Sequence, residues 1–219
     1  EPSRPVVAGV ADALADGLFR RLLVVFALNG IAAAIPATLF LFYVADVLQA
    51  EGRQGWLLAL YFVAGAAGLP MWTALAARAG KTAAWAASMG VAVIAFVWAA
   101  LLGPGDVVAF AIVCVMSGAA LGADLALPPS ILADVIGRRG TMRSTGAYFG
   151  VWTLATKLNL ALAAGIALPL LDALGYAPGS RDGDATLALA IVYAAVPCLL
   201  KLGALAALFS FSAASRRAA

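Results

Sequence analysis

Six runs of about 20 or more mainly apolar residues dominate the sequence, separated by short segments with charged residues, glycine or proline. A helix needs about 20 such residues to cross roughly 30 Å of hydrocarbon. Open sheets leave backbone groups unpaired in lipid, and the alternating pattern of a barrel strand is missing, so the runs predict helices. The predicted spans are 22–44, 56–77, 83–102, 107–127, 146–171 and 185–211. We therefore expect an all-α polytopic membrane protein.

The composition agrees with this class. Of the 219 residues, 64% are hydrophobic and only 11% are charged, and the mean hydropathy of +1.01 is far above that of soluble domains. The net charge of +3 comes from basic residues scattered between apolar runs, with no basic surface laced with aromatic residues. Nucleic-acid binding is therefore not expected, and the lipid bilayer is the expected surrounding.

The sequence contains no histidine, and its two cysteines, Cys114 and Cys198, lie inside apolar runs. Histidine-bearing metal sites, histidine-based catalysis and a disulfide framework are thereby disfavoured. No serine or cysteine has a plausible base nearby, and no carboxylates are paired inside a run. We expect a protein that is not an enzyme and that carries no metal or cofactor.

Basic residues fall on alternate loops, which predicts the topology. With six spans, the side that holds both termini also holds these ten: Arg4, Arg20, Arg21, Arg78, Lys81, Arg138, Arg139, Arg143, Arg216 and Arg217. The other side has only Arg53 and Arg181, among six acidic residues. The positive-inside rule predicts that both termini are cytoplasmic and that the protein lies in the cell membrane. Residues 1–21 are expected to form a cytoplasmic surface helix or linker, and residues 212–219 a cytoplasmic tail.

Lys157 is the sharpest polar signal inside a run. It lies 11 residues after Gly146 and 14 before Leu171, so it is some 16 to 21 Å from either end, at about 1.5 Å per residue. A central lysine costs about 2.5 to 3.5 kcal/mol on insertion scales and usually faces a carboxylate or a wet cavity. We expect Lys157 to face a functional cavity, with Thr153 one turn earlier on the same face; the alternative is a structural ion pair.

Four other polar residues inside the runs are weaker candidates. Asp124 is the main intramembrane carboxylate that could pair with Lys157, but its position near the end of the fourth run fits an interfacial aspartate equally well. Asn29 and Tyr43, in the first run, are candidates to line a pathway. Lys201, in the sixth run, is expected to extend its ammonium to the membrane surface.

Small residues and prolines predict how the helices pack and bend. Gly118 and Gly122 in SGAALG, and GAAG at 65–68, have the spacing of close helix–helix contacts, although glycine and alanine are also abundant in the whole chain. Four prolines that would kink the helices lie within the runs: Pro36, Pro70, Pro169 and Pro197.

The stretch ADVIGRRGTMRSTGAYFGVWTLATKLNLALAAGIALPLLDALGY, residues 133–176, resembles the glycoside-pentoside-hexuronide:cation symporters, the melibiose-permease-like branch of the major facilitator superfamily. The turn RAGKTAAW, 78–85, also looks like the basic turn between the second and third helices of each superfamily half. The matching elements in 133–176 are Ala133, Asp134, Val135, Arg143, Gly146, Tyr148, Phe149, Trp152, Thr156, Lys157, Leu158, Leu174, Gly175 and Tyr176.

This resemblance implies that the six helices form the C-terminal half of a twelve-helix transporter. Residues 1–21 would then be the end of the central cytoplasmic loop. The chain opens at Glu1 without methionine or a signal peptide, and we expect that the N-terminal six-helix half is missing. Lys157 and Thr153 would face the central cavity, with the carboxylate partners of the lysine on the missing half. A cytoplasmic gate would involve Asp134, Arg138, Arg139 and Arg143.

The sequence thus predicts a secondary active transporter that couples sodium or proton entry to symport of a sugar or related small solute by alternating access. The alternative is a complete six-span protein that acts as a dimeric pore or as a structural partner. The solute, the coupling ion, the direction of transport and the oligomeric state are left open by the residues.

Overall fold

In the computed structural model, residues 6–138 and 145–217 are described, and they form helices joined by short loops with no strand among them. Arg4, Arg139 and Arg143 lie outside these residues. The helices are α1 (Val6–Ala15), α2 (Gly17–Phe42), α3 (Gln54–Ala79), α4 (Lys81–Ala99), α5 (Val107–Arg138), α6 (Thr145–Ala173) and α7 (Gly183–Arg217). The last six are long and apolar enough to cross a membrane. The predicted fold class is confirmed: this is a six-helix membrane bundle of the kind that forms half of a major facilitator superfamily transporter.

The helices differ in length from the apolar runs. The largest difference is in α5, which continues to Arg138 through Pro128 and Pro129, although the run was predicted to end at residue 127. Proline lacks the N–H that would bond four residues back, so the carbonyl groups of Asp124 and Leu125 lose their usual helical donors. The helix continues because its turns are held by packing: Leu127, Pro128, Ile131 and Leu132 are buried.

Three of the other predicted spans fall inside their helices. The span 83–102 is longer than α4, which ends at Ala99, and the span 22–44 extends two residues beyond the end of α2 at Phe42. At its far end, α2 passes into a π-helical turn, Tyr43–Val47, within which Asp46 is buried. A single residue, Gly80, separates α3 from α4. Its φ of +91° is a conformation that favours a residue without a side chain.

Helices α3 and α5 pack through the predicted small residues. A Cβ atom built on Gly118 would lie 2.3 Å from the carbonyl oxygen of Tyr61, and one on Gly68 would lie 2.6 Å from that of Ala119. A Cβ on Gly122 would approach the carbonyl oxygen of Gly65 to 2.6 Å. These distances leave no room for a side chain, so the interpretation of these glycines as a close helix contact is confirmed.

Polar contacts connect the helix ends and loops at each of the two ends of the bundle. At the basic end, Lys81 pairs with Asp134 and Arg21 donates to Ser210 at 2.9 Å. At the acidic end, Arg181 pairs with Glu51 at 2.7 Å, and the N–H of Gly105 donates to the carbonyl of Leu48. The described basic and acidic loops therefore alternate between the two ends as the sequence predicts.

Helix α1 lies at the basic end against α6. Ala13 is fully buried, and a Cβ on Gly9 would lie 3.2 Å from that of Ala147. Asp16 caps α2 through Leu18 N–H and accepts a hydrogen bond from Tyr148 at 3.1 Å. Within the segment 1–21, residues 6–15 form this short helix packed on the bundle, and residues 17–21 already belong to α2.

Candidate functional site

A cavity of about 350 Å³ opens between α2, α3 and α5 and is backed by α4 and α7. This volume lies within the range of small-molecule sites. Most of its walls are apolar or aromatic, including Phe40, Phe62 and Phe96, and its mouth is formed by exposed side chains of Leu41 and Leu58. The residues with polar side-chain atoms are Tyr61, Cys114, Ser117, Asp124, Tyr193 and Lys201.

The cavity runs along the bundle. Its wall residues on α5 extend from Val113 to Asp124, a distance of about 16 Å at the helical rise. Helix α5 runs from the acidic end to the basic end, so Val113 marks the part nearer the acidic end. Asp124 and Lys201 mark the part nearer the basic end, which we name the charged floor.

Asp124 is held in the bundle by three neighbours. Its Oδ1 accepts hydrogen bonds from the indole Nε1 of Trp85 at 2.8 Å and from the amide Nδ2 of Asn29 at 2.9 Å. Its Oδ2 lies 3.6 Å from the ammonium of Lys201. Asp124 lies in the middle of the 32-residue α5 and not near its end, because the helix continues to Arg138.

Lys201 is also placed differently from its prediction. Only 3% of its side chain is exposed, and its Nζ donates to Oδ1 of Asn29 at 2.7 Å. The predicted extension toward the membrane surface is wrong, because Asn29 and Asp124 provide oxygen partners inside the bundle. A buried charge is tolerated when it is paired and hydrogen-bonded. Asn29 thus connects the two charges instead of lining the cavity.

Lys157 does not join this cluster. It is exposed on α6, on the side away from the bundle, and makes no hydrogen bond or ion pair within residues 6–138 and 145–217. Thr153 is exposed on the same face and donates to the carbonyl of Phe149 in its own helix at 2.8 Å. Asn159, by contrast, packs into α2 and donates to the carbonyl of Phe26. Asp124, the candidate partner of Lys157 within this chain, lies beside Lys201 instead.

Tyr43 is a core residue and not part of the cavity wall. Its side chain is fully buried, its ring stacks on Tyr193 at 4.1 Å, and its hydroxyl donates to the carbonyl of Ala99. The stack supports Tyr193, which does line the cavity.

The proposed gate residues divide between two contacts at the basic end. Both carboxylate oxygens of Asp134 accept from Lys81, at 2.6 and 2.7 Å. Arg138 donates to the carbonyl and hydroxyl of Ser215 at 2.9 Å. Arg139 and Arg143 lie outside the described residues.

A buried carboxylate lies at the acidic end, away from the charged floor. Asp46, 4% exposed, accepts from the Tyr176 hydroxyl and from Gly179 N–H at 3.0 Å. Burial, followed by the hydrogen bond to Asp46, raises the pKa of Tyr176 above its ordinary value. This contact ties the end of α2 to the loop between α6 and α7.

Sequence reasoning missed Lys201, Trp85 and the two cavity tyrosines as site residues. Lys201 could have been found by its depth, since it lies 18 residues after Gly183 and 16 before Arg217 in α7. No local pattern connects Trp85 or Tyr61 to Asp124, because each lies on a different helix.

Comparison with known proteins agrees with this geometry. A family model described as MFS/sugar transport protein matches residues 2–214. Among curated proteins, none matches the chain at a significant level. Together with the six membrane-length helices and the cavity between them, the match over nearly the whole chain means that this protein belongs to the MFS/sugar transport family of the major facilitator superfamily.

Proposed function

We propose that this chain is the C-terminal half of a melibiose-permease-like secondary transporter that moves a sugar or related small solute by cation-coupled symport. The observation that carries the proposal is the cavity between α2, α3 and α5, with Asp124 and Lys201 at its charged floor. Alternating access needs a site between two halves that rock against each other. A buried ion pair at such a site is a polar anchor whose contacts can differ between the two states.

The exposed faces of α3 and α6 support the proposal of a second half. In each of these helices only 22% of the most apolar 18-residue window is buried. Lys157 lies on such a face without a partner in the described chain, and an ammonium inside a membrane requires a carboxylate or water. A second six-helix half with acidic residues facing α6 would supply both a carboxylate and a hydrated cavity for Lys157. In this arrangement the termini of this chain are cytoplasmic.

The first test is the intact mass of the protein expressed from its native gene, compared with 22.1 kDa for this chain. We expect a mass near twice this value. A mass near that of the chain would contradict the missing half and favour a dimer of six-helix chains.

The second test is solute uptake by the native protein in proteoliposomes, under sodium or proton gradients. Lys157→Ala should lose coupled uptake while inserting normally, and Lys157→Arg is the control that keeps the charge. Normal coupled uptake by Lys157→Ala would contradict the proposed role of this lysine in coupled transport.

A further inference from the structure

We propose that the cavity accepts an elongated amphipathic solute, with a small uncharged hydroxylated head at the charged floor and an apolar body along the aromatic walls. This inference rests on the proposed transport function and names its solute class. It is carried by the polar and apolar division of the cavity, by its length and by the free hydrogen-bonding atoms at one end.

Two oxygen atoms of the cavity wall near the charged floor are free to bind a hydroxylated head. Asp124 Oδ1 already accepts two hydrogen bonds, whereas Oδ2 has only the ammonium of Lys201 at 3.6 Å. The hydroxyl of Tyr61 has no hydrogen bond within the described residues. Since no buried side-chain nitrogen or oxygen there lacks a partner, this hydroxyl and Asp124 Oδ2 are accessible, and both residues line the cavity. Tyr193 lies toward the acidic end of the cavity, where its ring packs against Tyr43 and Phe110. A carboxylate oxygen takes a donor and a phenol takes either, which suits a hydroxyl group.

The charges at the floor of the cavity favour an uncharged head. Asp124 and Lys201 together carry no net charge, and the ammonium is already bonded to Asn29 at 2.7 Å. A charged head would therefore lie beside one like charge and remain without a full counter-charge in a poorly hydrated site, which is costly. An uncharged hydroxylated head has no such cost.

The rest of the cavity wall favours an apolar body. Twelve of its 18 wall residues have purely apolar side chains, and they include three phenylalanines: Ala33, Pro36, Ala37, Phe40, Leu41, Leu58, Phe62, Ala92, Phe96, Val113, Ala120 and Leu121. Ser117 already donates its hydroxyl to the carbonyl of Val113 at 2.7 Å. Hydroxyl groups distributed along a whole solute would lose water against these walls without replacement. An apolar body would gain from the same burial.

The experiment measures binding of methyl, butyl and hexyl glucoside to the native protein in lipid nanodiscs by titration calorimetry. We expect affinity to rise steeply with chain length, by up to about fourfold for each methylene that is fully buried. Hexylammonium, with a charged head, should bind more weakly than hexyl glucoside.

Variants separate the head from the body. Tyr61→Phe removes one contact to the head and leaves the ion pair intact, so it should weaken the binding of all three glucosides by a similar factor. Asp124→Asn should weaken their binding more strongly. Phe62→Ala should reduce the dependence on chain length. Phe209→Ala is the matched control, because Phe209 is 65% exposed on α7 and lies outside the cavity wall; it should change neither.

Two results would overturn the inference. The first is a binding affinity that does not change with the chain length of the glucoside. The second is a chain-length dependence that stays the same in both Phe62→Ala and Phe209→Ala, because this would mean that the glucosides only partition into the lipid. Coupled uptake of free sugars by the native protein in proteoliposomes would then show that transport stands while the solute class is wrong. Absence of coupled uptake for every sugar and glucoside would count against the proposed function itself.

Discussion

Two lysines deep in the helices of this protein have opposite surroundings. Lys201 on α7 is 2% exposed and lies among Asn29, Asp124 and the packed side chains around them. Lys157 on α6 is exposed and has no partner within the described residues. Both occur in apolar helices of similar hydropathy, so the local sequence does not distinguish them.

This difference shows that the partners of a charged side chain can lie within the bundle or on whatever covers its surface. Lys201 is compensated by residues on α2 and α5 of the same chain, so it contributes to the stability of this bundle. Lys157 contributes no contact to the bundle, so its role depends on what covers α6. Removing one partner of a buried pair leaves the other charge uncompensated. The two lysines should therefore differ in how much their substitution lowers the free energy of unfolding.

The largest expected effect is that of Lys201→Met. It leaves the Asp124 carboxylate in the bundle without its cation, and we expect a loss of about 3 to 5 kcal/mol in the free energy of unfolding. Thermal unfolding in detergent measures it. The double variant Asp124→Leu with Lys201→Met should recover much of the loss, since it removes both charges. If Lys201→Met alone unfolds like the native protein, the buried pair is not formed.

A smaller loss is expected from Gly118→Ala, at the contact between α3 and α5 that forms one wall of the cavity. The new methyl group would meet the carbonyl of Tyr61, and overpacking of this kind costs about 1 to 3 kcal/mol. Gly90→Ala is the control, since a Cβ there meets no atom within 4 Å. It should be neutral or slightly stabilising, because alanine favours helix. Equal unfolding temperatures for the two variants would contradict the close contact.

The third effect concerns the buried carboxylate at the acidic end. Tyr176→Phe removes the hydroxyl that donates to Asp46, while Gly179 N–H remains, and the expected loss is about 1 to 2 kcal/mol. Arg181→Ala breaks the exposed pair with Glu51 and should cost less than about 1 kcal/mol. The same unfolding measurement compares them, and a larger loss for Arg181→Ala would reverse the assignment of stability to the buried contact.

The smallest expected effect on stability is that of Lys157→Met. Because this ammonium makes no contact in the described chain, the change should lie within about 0.5 kcal/mol. Leu158→Met, also exposed on α6, is the control. A marked stabilisation in lipid bilayers would mean that Lys157 faces hydrocarbon in the native protein, which contradicts a cavity role.

Much of the fold could be predicted from the sequence, and less of the site. The helix count and the alternation of loop charge follow from apolar length and from the cost of charges in lipid. The end of α5 was not predictable in this way. Two consecutive prolines, Pro128 and Pro129, predict that a helix ends, and only their packing keeps this helix continuous. The interpretation of Lys201 failed for a related reason: its two oxygen partners lie 77 or more residues away in the chain.

The sequence by itself determined that this chain forms six membrane-length helices with basic and acidic ends, because hydrophobic length and charge position act on each segment independently. The tertiary structure alone decided which charges meet. Asn29, Trp85, Asp124 and Lys201 come from four different helices, and their contacts depend on crossing positions such as the glycine contact of α3 with α5. No local periodicity encodes such crossings, so the charged floor of the cavity became visible only once the helices were packed.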